Sequence, residues 1–342
     1  MIKFTSGNIL KDSSDAIVNT VNCVGVMGKG LALQFKKAFP DNFKLYKSAC
    51  DRKEMKIGEV FITESGDMFN KKFIVNFPTK NHWRGKSQYE YIESGLDDLA
   101  TKIREYGIKS IAIPPLGAGL GGLDWGIVKS MIIDKLSPLT DVEVCIYEPN
   151  SAPESKDMIV NTKTPNMTRG RALLLKALGI YSEKGYECTK IEVQKLAYFL
   201  QESGVDLKLN YQAHNFGPYA ENLNHVLTHI DGHFISGFGD RVSKSSIEII
   251  NDSLAKADEF LSTEPEYQDS IDRVKKLISG YETPLSIEVL ATVHWVIKHE
   301  GRSPSDFDSI KDFIFQWNDH KSSIKEKYLK KALAQLQTNC WV

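Results

Sequence analysis

The chain has 342 residues, enough for two ordinary domains with separate cores. Hydrophobic residues make up 42% and charged residues 25%, a balance that excludes a disordered or fibrous protein. The formal net charge is −1, with 20 Lys and Arg against 18 Asp and Glu in 1–150 and 23 against 26 beyond. Neither half therefore carries the basic footprint of a general nucleic-acid binder, and a nucleic-acid partner would have to be engaged locally, at a site.

Apolar runs such as 110–120 (SIAIPPLGAGL) are short and broken by Pro and Gly, so no membrane span and no membrane partner are expected. The opening MIKFTSGNIL lacks the apolar core of a signal peptide, which points to a cytoplasmic location. The five cysteines at 23, 50, 145, 188 and 340 are odd in number and scattered. No Cys/His group has metal-ligand spacing, so reduced thiols are expected, with neither a disulfide framework, a metal nor a cofactor.

The first half alternates strands and helices. Strands are predicted at 16–22, 59–63, 72–78, 110–116 and 142–147, and helical patterns fall between them at about 30–38, 41–52, 88–106 and 124–137. This is an α/β pattern, a mixed sheet with helices on both faces. Residues 149–168 (PNSAPESKDMIVNTKTPNMT) have the composition of a linker. The boundaries predicted are 1–150, a linker at 151–168 and a second domain at 169–342. Beyond the linker, helical spacing runs through Leu173–Leu178, Ile191–Ser203, Tyr219–His229, Ile247–Leu261, Ile271–Ser279, Ser286–Glu300, Phe307–Asn318 and Ile324–Gln337. The second domain is predicted to be mainly α-helical.

Three segments of the first half follow strands, where open α/β sheets place their ligand crevice. The first, Asn19 to Gly30 (NTVNCVGVMGKG), leads into the helix LALQFKKAF. Asn amides both donate and accept, which suits a sugar diol, and Gly28 and Gly30 let backbone N–H groups approach an anion at a helix N-terminus. The second, Pro114 to Gly122 (PPLGAGLGG), again precedes a helix. Either loop alone is also what an ordinary βα turn looks like. Gly117, Gly119 and Gly122 match G-x-G-x-x-G, so a Rossmann dinucleotide site competes, although the match falls late in the domain. The third segment, Phe77 to Ser87 (FPTKNHWRGKS), places Lys80 just past a strand end with His82, Arg84 and Lys86 close behind. Cations crowding Lys80 would lower its pKa, and a neutral amine is a nucleophile for a sugar's anomeric carbon. A solvated basic loop is the plain alternative.

SDAIVNTVNCVGVMGKGLALQFKKAFP, FPTKNHWR and PPLGAGLGGLDW together resemble the macrodomains, and within them the DarG-type DNA ADP-ribosyl glycohydrolase antitoxins. The resemblance covers essentially all of 1–150 and implies a three-layer α/β/α fold that holds ADP-ribose. It implies that Asn8 and Ile9 lie near adenine, Thr20, Val21 and Asn22 near the distal ribose, and Leu31 and Thr79 along the pocket. Gly117, Ala118, Gly119, Leu120 and Gly121 would cradle the diphosphate and ribose, and Lys80 matches the catalytic lysine. Two positions depart from wider macrodomain patterns. Asn8 stands where many have Asp, so acceptance from the adenine amine would fall to its amide oxygen. Gly121 stands where related terminal ADP-ribose glycohydrolases carry an acid; His82 and Asp124 are candidates for activating the final water, with Asp124 also reading as a helix cap.

In the second half, QKLAYFLQ (194–201) and FGPYAENL (216–223) resemble SocA-like or Panacea antitoxin domains over about 170–300, while each also reads as a plain core helix, with Gly217-Pro218 as the loop entering the second. What the resemblance implies is a C-terminal region that binds and blocks a DarT-like toxin, the enzyme that ADP-ribosylates DNA. An acidic face built from Glu221, Asp231, Asp240, Glu248, Asp252, Asp258, Glu259, Glu264, Glu266 and Asp269 would fit such a toxin's DNA groove. The function implied is that of an antitoxin that hydrolyses ADP-ribose from ADP-ribosylated DNA. Its rivals are a hydrolase of ADP-ribose 1″-phosphate or O-acetyl-ADP-ribose and a non-catalytic ADP-ribose reader.

Overall fold

A computed structural model describes residues 1–66, 71–149, 158–183, 185, 188–239, 246–250 and 252–342. The chain divides into two compact units, Met1–Lys163 and Thr164–Val342. In the first, the elements run β1 (Ile2–Thr5), β2 (Ala16–Asn22), α1 (Gly30–Ala38), α2 (Pro40–Asp51), β3 (Phe61–Ser65), β4 (Lys72–Lys80), α3 (Tyr89–Glu105), β5 (Ser110–Ile113), α4 (Trp125–Leu136) and β6 (Glu143–Tyr147). The six strands form one sheet in the order β1-β6-β5-β2-β4-β3, parallel throughout except for β3, which runs antiparallel to β4. That order and its antiparallel edge differ from the doubly wound dinucleotide fold, which removes the Rossmann reading of Gly117, Gly119 and Gly122.

The period-two alternation of the central strands decides the layers. Val18, Val75, Phe77, Ile111 and Ile113 point to one face, where Ile92, Leu96, Leu99 and Ile103 of α3 and Val128, Ile132 and Leu136 of α4 cover them. Ile17, Ile74 and Ala112 point the other way, onto Phe35 and Ala38 of α1, and Val21 packs with Tyr46 and Ala49 of α2. Helices thus cover both faces. β1 was not in the predicted set: it is a four-residue strand at the sheet's edge with a mostly exposed pattern, so its alternation carries no burial signal. The first unit reaches to Lys163 because Ile159 packs on its core and Asn161 bonds the carbonyls of Lys37 and Ala38. Residues 150–157, within the predicted linker, lie outside the described residues.

The second unit holds α5 (Arg169–Ser182), α6 (Lys190–Glu202), β7 (Tyr211–His214), β8 (Gly217–Ala220), α7 (Leu223–Ile230), β9 (Ile235–Ser236), β10 (Glu248–Ile249), α8 (Ser253–Leu261), α9 (Gln268–Ile278), α10 (Pro284–Lys298), α11 (Phe307–Trp317), α12 (Asp319–Ser322) and α13 (Glu326–Thr338). It is mainly helical, with two short antiparallel strand pairs among the described residues, β7–β8 and β9–β10, that helical spacing did not foresee. The helix predicted at Tyr219–His229 begins only at Leu223, because Gly217, with φ of +86°, turns the chain into β8. Likewise Ile247–Leu261 splits into β10 and α8. Two helices are buried over most of their length, Glu192–Leu200 of α6 and Ile287–Ile297 of α10, which marks them as the unit's centre.

The expected acidic face is interrupted. Glu264 takes a forked bond from Arg169, Asp258 pairs with Lys176 at 2.7 Å and Asp252 with Lys256 at 3.0 Å, while Asp231 is buried. Its charge is thus partly neutralised by basic neighbours; Asp240 lies outside the described residues. All five cysteines are free thiols, and among the described residues no helix is long and apolar enough to cross a membrane.

Candidate active site

The parallel strands β1, β5, β2 and β4 end on the same side of the sheet, and each sequence-predicted site residue lies at or just past one of those ends. Asn8 and Ile9 follow β1. Thr20, Val21 and Asn22 close β2, with Leu31 in the first turn of α1 beyond it. Thr79 and Lys80 close β4, and Gly117 to Gly121 follow β5. From β1 to β4 is four strand spacings, roughly 19 Å. A ligand touching both Asn8 and Lys80 must therefore be elongated and lie across the strand ends.

Lys80 owes its position to a break in register. Thr20 pairs with Phe77 and Val21 with Pro78, but Asn22 pairs with Lys80, leaving Thr79 as an extra residue. Such a bulge re-aims the side chains that follow it. The Lys80 amine, half-buried, donates to the Leu120 carbonyl at 2.5 Å, so the lysine and the second glycine loop are in direct contact. The turn after Lys80 is tied down at both ends, since Cys23 N–H donates to Asn81 O at 3.2 Å and Ser87 N–H donates to Gly121 O at 3.1 Å. Three motifs widely separated in sequence thereby meet. Arg84 and His82, expected to crowd Lys80, are instead engaged with their own turn: the guanidinium lies 4.5 Å over the Trp83 ring and His82 Nδ1 accepts from Arg84 N–H at 3.2 Å.

The loop 117–122 is held by its own bonds, Leu123 N–H to Gly117 O at 3.2 Å and Gly122 N–H to Gly119 O at 3.1 Å. Among the described residues, no protein group accepts from the N–H of Gly119, Leu120 or Gly121, which leaves three donors to a ligand. Gly121 is fixed by space. A Cβ there would sit 2.1 Å from the Gly117 carbonyl oxygen and 2.4 Å from Ser87 Oγ, so no acid fits at this position without remaking the loop. Asp124, half of the pair considered for water activation, caps α4 by accepting from Ile127 N–H at 3.1 Å. By contrast α1 has Lys29 at its N-cap and no side-chain cap, and its first N–H groups stand at the end of the Gly28–Gly30 segment.

Two asparagines at the strand ends hold the framework. Asn22 wraps the loop after β2, its amide donating to Val26 O at 2.6 Å while its oxygen accepts from Val24 and Val26 N–H at 3.1 and 3.3 Å. Asn8 accepts from Leu10 N–H at 3.0 Å, which fixes its oxygen inward. Its amide nitrogen is buried without a protein partner. Ser87 was missed. Its buried hydroxyl also has no partner and lies against Gly117 and Gly121; the signal, a serine closing the FPTKNHWRGKS segment, was in view.

Beneath the crevice, an amide chain links β2, β4, β3 and α2. Asn19 donates to Asn76 at 3.2 Å, Asn76 donates to Asn42 at 2.7 Å, and Thr63 donates to Asn42 at 2.7 Å. This buried network braces the strands that carry Asn22 and Lys80.

A family model described as the Macro domain matches residues 18–132. A Thermus aquaticus protein named DNA ADP-ribosyl glycohydrolase is 46% identical over 336 residues, covering 98% of this chain and 93% of that one. A Mycobacterium bovis protein of the same name is 38% identical over 317 residues, covering 88% and 89%. A Thermosipho africanus protein named DNA ADP-ribosyl transferase-DNA ADP-ribosyl glycohydrolase fusion protein is 36% identical over 163 residues, covering 43% of this chain and 42% of that one.

Proposed function

The chain belongs to the DNA ADP-ribosyl glycohydrolase family of macrodomain proteins, and on that footing we propose that its first unit removes ADP-ribose from ADP-ribosylated DNA bases by way of Lys80. The observation that carries the reading is the contact of Lys80 with the Leu120 carbonyl, which puts an amine against a loop whose three free N–H groups suit a diphosphate. The free N–H groups of the 119–121 loop and the uncapped start of α1 hold the diphosphate, and the Asn8–Ile9 turn after β1 lies against the adenine. Binding energy from these unreactive parts fixes the distal ribose over the end of β4.

The chemistry follows from an amine beside an anomeric carbon. The Lys80 nitrogen attacks that carbon through its lone pair, the bond to the base nitrogen breaks, and a proton from Nζ goes to the departing base. Water then adds to the same carbon and displaces the lysine, one water proton returning to Nζ, and ADP-ribose leaves. The base is released intact. The second unit we assign to binding and blocking a DarT-type DNA ADP-ribosyl transferase, making the whole chain a cytoplasmic antitoxin. Support comes from the near-full-length relatedness to the Thermus aquaticus protein and from a relative whose printed name joins transferase and glycohydrolase in one polypeptide.

One variant tests both assignments. Full-length Lys80→Ala should bind free ADP-ribose with nearly wild-type affinity by calorimetry yet release ADP-ribose from a modified oligonucleotide on the order of a thousandfold more slowly. The same variant should still suppress DNA modification when premixed with a DarT-type transferase. Wild-type release by Lys80→Ala would remove the lysine from the reaction, and failure of wild type and variant alike to suppress the transferase would remove the second assignment.

A further inference from the structure

Of the five tryptophans, Trp83 alone is exposed, at 47%. It sits three residues past Lys80, in a turn tied at one end to the loop after β2, through Asn81 O, and at the other to the glycine loop, through Ser87 N–H. Its ring is flanked by the Arg84 guanidinium at 4.5 Å and by the His82 ring at 5.4 Å between centroids. Leu120, whose carbonyl receives Lys80, is 56% exposed on the adjoining loop.

The charge around this turn is one-sided although the chain as a whole is nearly neutral. No Asp or Glu occurs in 16–40, in 71–89 or in 106–123, the stretches that carry the ends of β2, β4 and β5 and the loops after them. Past the strand ends those stretches place Lys29, Arg84 and Lys86 as well as His82, all exposed, beside the half-buried Lys80 that closes β4. An exposed aromatic ring set among cations, with no acid in the same segments, is the combination by which proteins hold unpaired nucleic acid. The ring stacks a base, and the cations meet its phosphates.

We propose that the turn 81–87 is the docking strip for the single-stranded DNA flanking the modified nucleotide, with Trp83 stacking on a neighbouring base and Arg84 and Lys86 meeting the adjacent phosphates. This rests on the reading of the site as a DNA ADP-ribosyl glycohydrolase and adds to it the part that recognises the strand rather than the ADP-ribose. Trp83 here is a specificity residue: it touches nothing that reacts, and a substrate without flanking nucleotides does not reach it.

The test compares two substrates bearing the same modified base, an ADP-ribosylated single-stranded oligonucleotide and the ADP-ribosylated deoxynucleoside alone. Trp83→Ala should raise KM for the oligonucleotide about tenfold with kcat unchanged, the loss expected for one stacked base, and leave both constants for the nucleoside as in wild type. Trp83→Phe should restore most of the oligonucleotide KM. The proposal is overturned by an unchanged oligonucleotide KM in Trp83→Ala, which would leave the turn to a protein partner, or by equal losses on both substrates, which would place Trp83 in the ADP-ribose site. Wild-type protein that releases ADP-ribose from neither substrate would bring down the proposed function itself, a result distinguishable from either of these.

Discussion

At the scale of single residues, the site depends on groups whose backbone and amide bonds are already partly committed. Gly121 is the sharpest case. Its missing Cβ is what lets Ser87 N–H and the Gly117 carbonyl close the loop around it. Gly121→Ala should therefore cost at least about tenfold in ADP-ribose affinity, the loss of one or two charge-assisted bonds to backbone N–H groups. Calorimetry on the variant checks this, and unchanged affinity would mean that the loop is not the cradle. Lys80 and the glycines were legible in the sequence because they lie in three compact motifs. The amide orientation of Asn8 was not, since it is set by a bond to Leu10 N–H that only the folded turn creates. The Asn19–Asn76–Asn42 chain was invisible for a related reason: its members are 57 and 34 residues apart and become neighbours only when β2, β4 and α2 pack.

At the scale of elements, the alternating strands and amphipathic helices of the first unit announced themselves, whereas β1 and the hairpin β7–β8 did not. The hairpin is made by buried polar contacts rather than by strand-like sequence. Gln194 bonds both backbone groups of Ala220, at 3.0 and 2.9 Å, and Lys195 donates to Pro218 O at 2.6 Å, so the QKLAYFLQ helix and the FGPY strand hold each other. Lys195 is fully buried near Lys321, which itself pairs with Glu288 at 2.6 Å. Burial first, and then the neighbouring Lys321 charge, bring the Lys195 amine down to about 7 from its ordinary 10.5. Between those two pH values the unfolded chain binds a proton that the folded chain does not, so this group makes stability rise with pH across that window. Urea unfolding at pH 7 and pH 9.5 should show the rise in wild type and a smaller one in Lys195→Met. An equal rise in both proteins would mean that Lys195 titrates normally.

At the scale of the whole molecule, the chain forms two compact units, and relatedness to the Thermus aquaticus glycohydrolase extends over both. The near-zero net charge, which argues against general nucleic-acid binding, is compatible with a DNA substrate because the acid-free stretches are gathered at one crevice. The central claim is that this crevice cuts the bond between ADP-ribose and a DNA base. Its most direct measurement is the intact mass of an ADP-ribosylated oligonucleotide after incubation with the full-length protein. The account predicts an oligonucleotide with its base restored and free ADP-ribose in equal amount. An oligonucleotide of unchanged mass, or one that keeps its ribose and loses only a nucleotide fragment, would contradict it.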